Sequence, residues 1–123
     1  MGERGYELHG VRIYECAGEG EVIRDASAVL NAAFNHRARL IVLPVTRLGE
    51  DFFRLKTRIA GEMLGKLTTY KMRVAIVGDV SRYVAESEAF RDFVSETNRG
   101  DQIWFVRDHE ELAAILKRRA ERV

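Results

Sequence analysis

Hydrophobic and polar positions follow three different periods along this chain, and each period predicts a different element. Tyr6-Glu7-Leu8-His9 and Val11-Arg12-Ile13-Tyr14-Glu15-Cys16 alternate with a period of two, as half-buried strands do, and Gly10 offers the turn of a hairpin between them. Leu40 to Val45 and Arg73 to Val77 carry continuous apolar runs, as strands buried on both faces require. Pro44 has no amide hydrogen and ends the first run; Gly78-Asp79 stops the second. Gln102 to Val106, centred on Ile103, Trp104 and Phe105, is the last strand.

The third period is helical. Ala28, Val29, Ala32 and Ala33 make one apolar face, flanked by Leu30 and Phe34, on a helix capped by Asp25 and ending near His36. The longest periodic stretch runs from Glu50 to Leu67. Phe52, Phe53, Leu55, Ile59, Ala60, Met63, Leu64 and Leu67 recur at three- and four-residue steps, which predicts a central helix starting at Glu50-Asp51. A second stripe on it, Thr57, Gly61, Gly65 and Thr68, holds only small residues, which predicts close packing against a neighbouring helix or a second copy. Ser87 caps a helix carrying Phe90, Phe93, Val94 and Thr97, stopped at Asn98-Arg99-Gly100 with Gly100 suited to a left-handed turn. Asp108 and Glu111 form a capping-box variant before a helix that buries Leu112, Ile115 and Leu116. Lys117, Arg118, Arg119 and Arg122 gather at its C-terminal end as a solvated cluster, where the helix dipole favours cations.

The resulting order, ββαβαβαβα, implies an α/β domain with a mostly parallel sheet of about five strands, four helices and right-handed crossovers, spanning residues 1–123 as one unit. The opening hairpin separates it from receiver and flavodoxin-like domains, which begin strand–helix. The order is that of STAS domains, the anti-sigma-factor antagonists.

Composition narrows the function classes. Lys and Arg number 20 against 19 Asp and Glu, so no global field draws the chain to nucleic acid or to a membrane surface. No apolar run approaches a membrane span or a secretory h-region, and a single cysteine, Cys16, makes no internal disulfide; a cytoplasmic location is the expectation. His9, His36 and His109 lie far apart without ligand spacing, which predicts no metal and no cofactor. Trp104 and the phenylalanines are placed on core faces rather than on a base-stacking platform.

Longer motifs carry a resemblance. Glu50-Asp51-Phe52-Phe53-x-Leu55-Lys56-Thr57-x-x-Ala60-Gly61-Glu62 and Ala75-Ile76-Val77-Gly78-Asp79, with Arg91-Asp92-Phe93, Thr97-Asn98-x-Gly100 and Ile103-x-Phe105-Val106, resemble the bacterial DUF4180 family across nearly the whole chain. That resemblance implies a fold and no assigned reaction. STAS antagonists place a phosphorylated serine at the start of the helix after the third strand. Here Glu50 and Asp51 occupy that position, and Thr46 is the only hydroxyl nearby, so an acidic helix start replaces the switch.

Three functional readings follow. The first is a regulatory or interaction domain that binds an unidentified protein or a second copy of itself through Glu50, Asp51, Lys56, Thr57, Gly61 and Gly65, with no catalysis. Glu62 and Lys66 are read beside them as an i,i+4 surface pair. The second is a sensor of a small anionic ligand at the carboxyl ends of the strands, where Thr46, Arg47, Gly78, Asp79, Ser81 and Arg82 lie. The third is an enzyme using Asp51 or Asp79 with Lys56.

Overall fold

The computed structural model describes residues 2–121. His9 and Gly10 both have positive φ, 48° and 83°, the backbone of a two-residue hairpin turn that matches strand twist. Strands β1 (Arg4–Leu8) and β2 (Val11–Glu15) therefore pair antiparallel, with Leu8 opposite Val11. The chain continues through α1 (Ala26–Asn35), β3 (Leu40–Pro44), α2 (Ile59–Thr69), β4 (Arg73–Val77), α3 (Ser81–Glu86), α4 (Glu88–Arg99), β5 (Ile103–Val106) and α5 (His109–Ala120). Strands β2 to β5 are parallel and stand in chain order, so the five-stranded sheet reads β1-β2-β3-β4-β5.

Sequential order with crossovers of one hand puts every crossover helix on one face of the sheet. There α1, α2 and α4 cover Tyr14, Cys16, Ile41, Leu43, Val74, Ile76 and Phe105. The alternate residues, Ile13, Leu40, Val42, Ala75, Trp104 and Val106, face the other way and are covered by Leu112 and Leu116 of α5. β3 is buried on both faces, which is why it reads as an unbroken apolar run. Phe90 of α4 is fully buried and contributes on the order of 2–3 kcal/mol by burial.

Caps sit where the side chains predict. Asp25 Oδ1 accepts from Ser27 N at 2.8 Å, Ser87 Oγ accepts from Phe90 N at 3.1 Å, and Asp108 Oδ1 accepts from Glu111 N at 2.9 Å. Several details differ from the sequence reading. Five α-helices are present among the described residues rather than four, because Ser81–Glu86, read as loop, is helical. Glu111 reaches back to the amide of Arg107, one residue beyond the expected box partner. Gly100 is extended, φ −88° and ψ −169°, and Asn98 instead secures the helix end by bonding both backbone groups of Phe105. On α1 the buried face is Ala26, Val29, Leu30 and Ala33; Ala28 is exposed and Phe34 points to solvent. Arg119 packs its guanidinium 4.9 Å over Trp104 and pairs with Asp101 at 2.6 Å, so it is not merely a solvated helix end; Arg122 lies outside the described residues.

The largest correction concerns the predicted central helix. It begins at Ile59, nine residues later than Glu50. Two short 3-10 turns, Glu50–Phe53 and Leu55–Thr57, precede it, and Arg58 between them and α2 has φ 67°. The periodicity did not reveal this break, because Phe52, Phe53, Ala60, Met63, Leu64 and Leu67 would share an arc of about 120° on an unbroken helix. Thr57 explains it. Its hydroxyl lies 2.7 Å and 2.8 Å from the carbonyls of Asp51 and Arg54 and also accepts from Ile59 N, which offers the backbone an alternative to the helical ladder. Length adds a reason. An α-helix from Glu50 to Leu67 would run about 27 Å, whereas a five-residue strand spans about 17 Å. Breaking the stretch folds its first turns across the end of the sheet.

Candidate functional site

Those folded-back turns build an open groove with α3 and the start of α4. Its volume is about 430 Å³; Phe53, Leu55, Tyr83 and Ala89 line it, and Arg54, Lys56, Arg82 and Glu86 surround them. The rings of Phe53 and Tyr83 stack as its inner wall. Phe53 meets Phe90 edge-on at 5.8 Å, and Phe90 meets Phe105 at 5.7 Å, so the wall is continuous with the core.

Electrostatics hold its two sides together. Glu50 Oε1 accepts from Arg82 Nη2 at 2.5 Å, and Arg54 lies 3.9 Å from the other oxygen. The Arg82 hydrogen bond, then its charge, hold the Glu50 carboxyl below the usual carboxylate range; the hydrogen bond to Glu50, then the neighbouring Tyr83, push the Arg82 guanidinium up. Arg82 also stands 4.7 Å over the Tyr83 ring. Residues from two different sequence-predicted groups therefore meet here: Glu50 from the interaction surface and Arg82 from the ligand site. Lys56 lines the same groove, and Asp51 is exposed beside it in the turn.

The other predicted residues lie elsewhere. Thr57 is the hydroxyl that breaks the helix. Gly61 and Gly65 are exposed on α2, and a Cβ built on either meets no atom within 4 Å, so the stripe packs against nothing among the described residues. Glu62 makes no pair with Lys66, which instead reaches Ser27 on α1. Thr46 donates to Gly18 O at 2.6 Å. Arg47 donates to the carbonyls of Glu21 at 2.7 Å and Ala17 at 2.9 Å, so this pair staples the loop before α1. Asp79 Oδ1 accepts from Ser81 N at 2.8 Å; the Ser81 side chain, then this backbone bond, keep the Asp79 pKa low. Gly78 has φ 143° against Val45. The anion-site residues are thus engaged with the chain's own groups.

A second cavity of about 410 Å³ lies beside the end of β2, between Tyr14, Cys16, Val29 and Arg47. Cys16 is buried there, and burial pushes its thiol up to about 11 although Arg47 pulls the other way. Tyr14 donates to Glu3; burial and that bond raise its pKa.

Sequence reasoning missed Tyr83 as a groove residue because it missed α3, and Leu55 because it read Glu50 to Leu67 as one helix. A signal was present: Val80, Tyr83 and Val84 have helical spacing, and Asp79, whose carboxylate accepts from Ser81 N, stands just before them.

No helix among the described residues is long and apolar enough to cross a membrane. Neither the curated proteins nor the solved structures searched gave a match to the chain. The profile of one family, described as "Domain of unknown function (DUF4180)", matches residues 8–116, which take in both walls of the groove. The chain therefore belongs to the DUF4180 family.

Proposed function

We propose that this chain is a protein-binding domain without a reaction of its own, and that its groove receives an apolar side chain from an acidic stretch of a partner. The observation that carries the reading is the groove itself: an apolar trough walled by Phe53, Leu55 and Tyr83, with Arg54, Lys56 and Arg82 around it against Glu86 in the lining and Glu50 beside it. Aromatic and arginine side chains around a preformed apolar pit are the usual anchor points of interfaces. The Glu50–Arg82 bridge links the two sides as an exposed pair of modest strength. The element order, α3 apart, supports a STAS-like fold in a cytoplasmic regulatory protein. Thr46 sits in the turn Val45–Arg47, away from the start of α2, which speaks against a helix-start phospho-switch there.

The test is a photo-crosslinking amino acid at Lys56 in cells of the source organism, with Ala89→Trp as the groove-filling variant. A discrete adduct that disappears in Ala89→Trp supports the proposal. An adduct indifferent to Ala89→Trp sinks it. An adduct of the chain with itself identifies the partner as a second copy.

The cavity beside β2 supports the ligand-sensing reading less. Its walls carry Glu3, Glu21 and Asp25 against Arg24 and Arg47, and Arg47 is already bound to carbonyls.

A further inference from the structure

At the opposite end of the sheet, where β3 and β4 begin, α1 and α2 end side by side in matching turns. Ala38 N donates to Ala33 O at 2.9 Å, and Met72 N donates to Leu67 O at 3.1 Å, the same six-residue closure. In each turn the residue in the left-handed conformation is a cation rather than glycine: Arg37 at φ 58° and Lys71 at φ 61°. Beside them Phe34 and Tyr70 are 49% and 56% exposed, and their rings meet edge to face at 6.3 Å. These two make up most of the large exposed apolar side chains among the described residues, the third being Val22. Arg37, Arg39 and Lys71 surround the pair in a depression of about 400 Å³ with no acid in its lining. None of the three takes part in an ion pair among the described residues.

Helix dipoles alone do not account for this. Two helix C-termini carry together about one negative charge, so three cations leave about two positive charges over. The dipoles also give no reason to expose two aromatic rings, and a left-handed Arg and Lys occupy positions that glycine fills with less strain.

We infer that this face is a second docking surface, separate from the groove, and that it takes a short acidic segment of a partner protein that lays apolar side chains on Phe34 and Tyr70. Charge complementarity selects the acid, and the exposed rings select the apolar component. Chain-wide charge decides between a peptide and a nucleic acid. With 20 basic against 19 acidic residues, the chain as a whole adds almost no field of its own, so attraction at this face comes from its local cations. A polyanion running past it gains nothing beyond a screening length of about 8 Å, whereas a short acidic segment ends there.

The test uses fluorescence anisotropy of the full chain. One probe is a labelled peptide of about ten residues alternating Glu and Leu; the other is oligo(dT) of matching length. The peptide should bind, and raising salt from about 50 to about 200 mM should weaken it. Arg37→Gly with Lys71→Gly should cut affinity at least about tenfold while melting no lower than the parent, because glycine suits both backbones. Phe34→Ser with Tyr70→Ser should weaken it too, and the groove-filling Ala89→Trp should leave it intact. Absence of peptide binding, affinity unchanged in the glycine pair, loss in Ala89→Trp, or tighter binding of oligo(dT) would each overturn the proposal. So would self-association of the free chain that the glycine pair abolishes, since the occupant would then be a second copy.

Discussion

The ring of Phe53 lies flat against that of Tyr83, centroids 4.2 Å apart and planes 10° from parallel. Phe53 is 2% exposed and Tyr83 half-buried, so one ring belongs to the core and the other to the surface. Their contributions should differ accordingly. Phe53→Ala leaves a cavity against Phe52 and Phe90 and should lose about 3–5 kcal/mol of stability. Tyr83→Ala removes one stacking partner on the open side and should lose about 1–2 kcal/mol. Urea unfolding of the two variants checks this, and equal losses would show that Tyr83 is a core residue rather than a groove wall.

Arg58 marks the place where the predicted helix fails. With φ 67° it holds a conformation that an L-residue adopts at a penalty of about 1 kcal/mol, and a β-branched residue adopts less readily still. Arg58→Val should therefore melt lower than the parent, and Arg58→Gly at or above it. A helix restored through this position would reverse that order, and far-ultraviolet circular dichroism of both variants would report the added helical residues.

The strands were legible because each prediction rested on a hard steric or solvation fact. Pro44 cannot extend a ladder, Leu40–Leu43 has no polar position to expose, and His9-Gly10 accepts the turn's positive φ. The caps at Asp25, Ser87 and Asp108 were legible for the same reason: a short oxygen side chain meets an orphan amide. The break at Arg58 was hidden because hydrophobic period measures faces, and Phe52 and Phe53 sit on the right face whether the helix is continuous or not. The groove was hidden with it, since it exists only when Glu50–Thr57 folds back toward α3. The patch of Phe34 and Tyr70 was masked by averaging: a net charge of +1 says nothing of three cations in one depression.

Glu15 ties the opening hairpin to the last helix. Its Oε1 accepts from the Tyr6 hydroxyl at 2.6 Å, and its Oε2 lies 2.9 Å from His109 Nε2. Burial opposes ionisation of this carboxyl. The hydrogen bonds from Tyr6 and His109, then the charges of His109 and Arg4, outweigh it and hold the pKa below the usual carboxylate range. The folded pKa is thus lower than the unfolded one, so the unfolded state binds more protons in acid. The contribution is present above the unfolded value and is lost as pH falls through the folded one. Glu15→Gln should lose about 1–3 kcal/mol at neutral pH, and its deficit should shrink as the parent is taken into acid. A deficit that stays constant across that titration would mean the carboxylate's charge is not what Tyr6 and His109 engage.

Glycines give the sharpest contrast between a residue the fold requires and one it does not. Gly78 has φ 143°, and a Cβ there would stand 2.7 Å from Cβ of Val45. Both the backbone and the neighbour resist a side chain, so Gly78→Ala should lose on the order of 2–3 kcal/mol. Gly61 and Gly65 are exposed in α2 with open space where a Cβ would go. Inside a helix Ala is favoured over Gly by about 1 kcal/mol, so each Ala variant should gain roughly that amount in chemical denaturation. Light scattering on the same samples completes the argument. If the small stripe is only surface, Gly61→Ala and Gly65→Ala stabilise the chain and leave its mass at every concentration unchanged. If a second copy packs closely on the stripe, the same variants stabilise the protomer yet weaken its association, and the mass of the variants falls sooner on dilution than that of the parent.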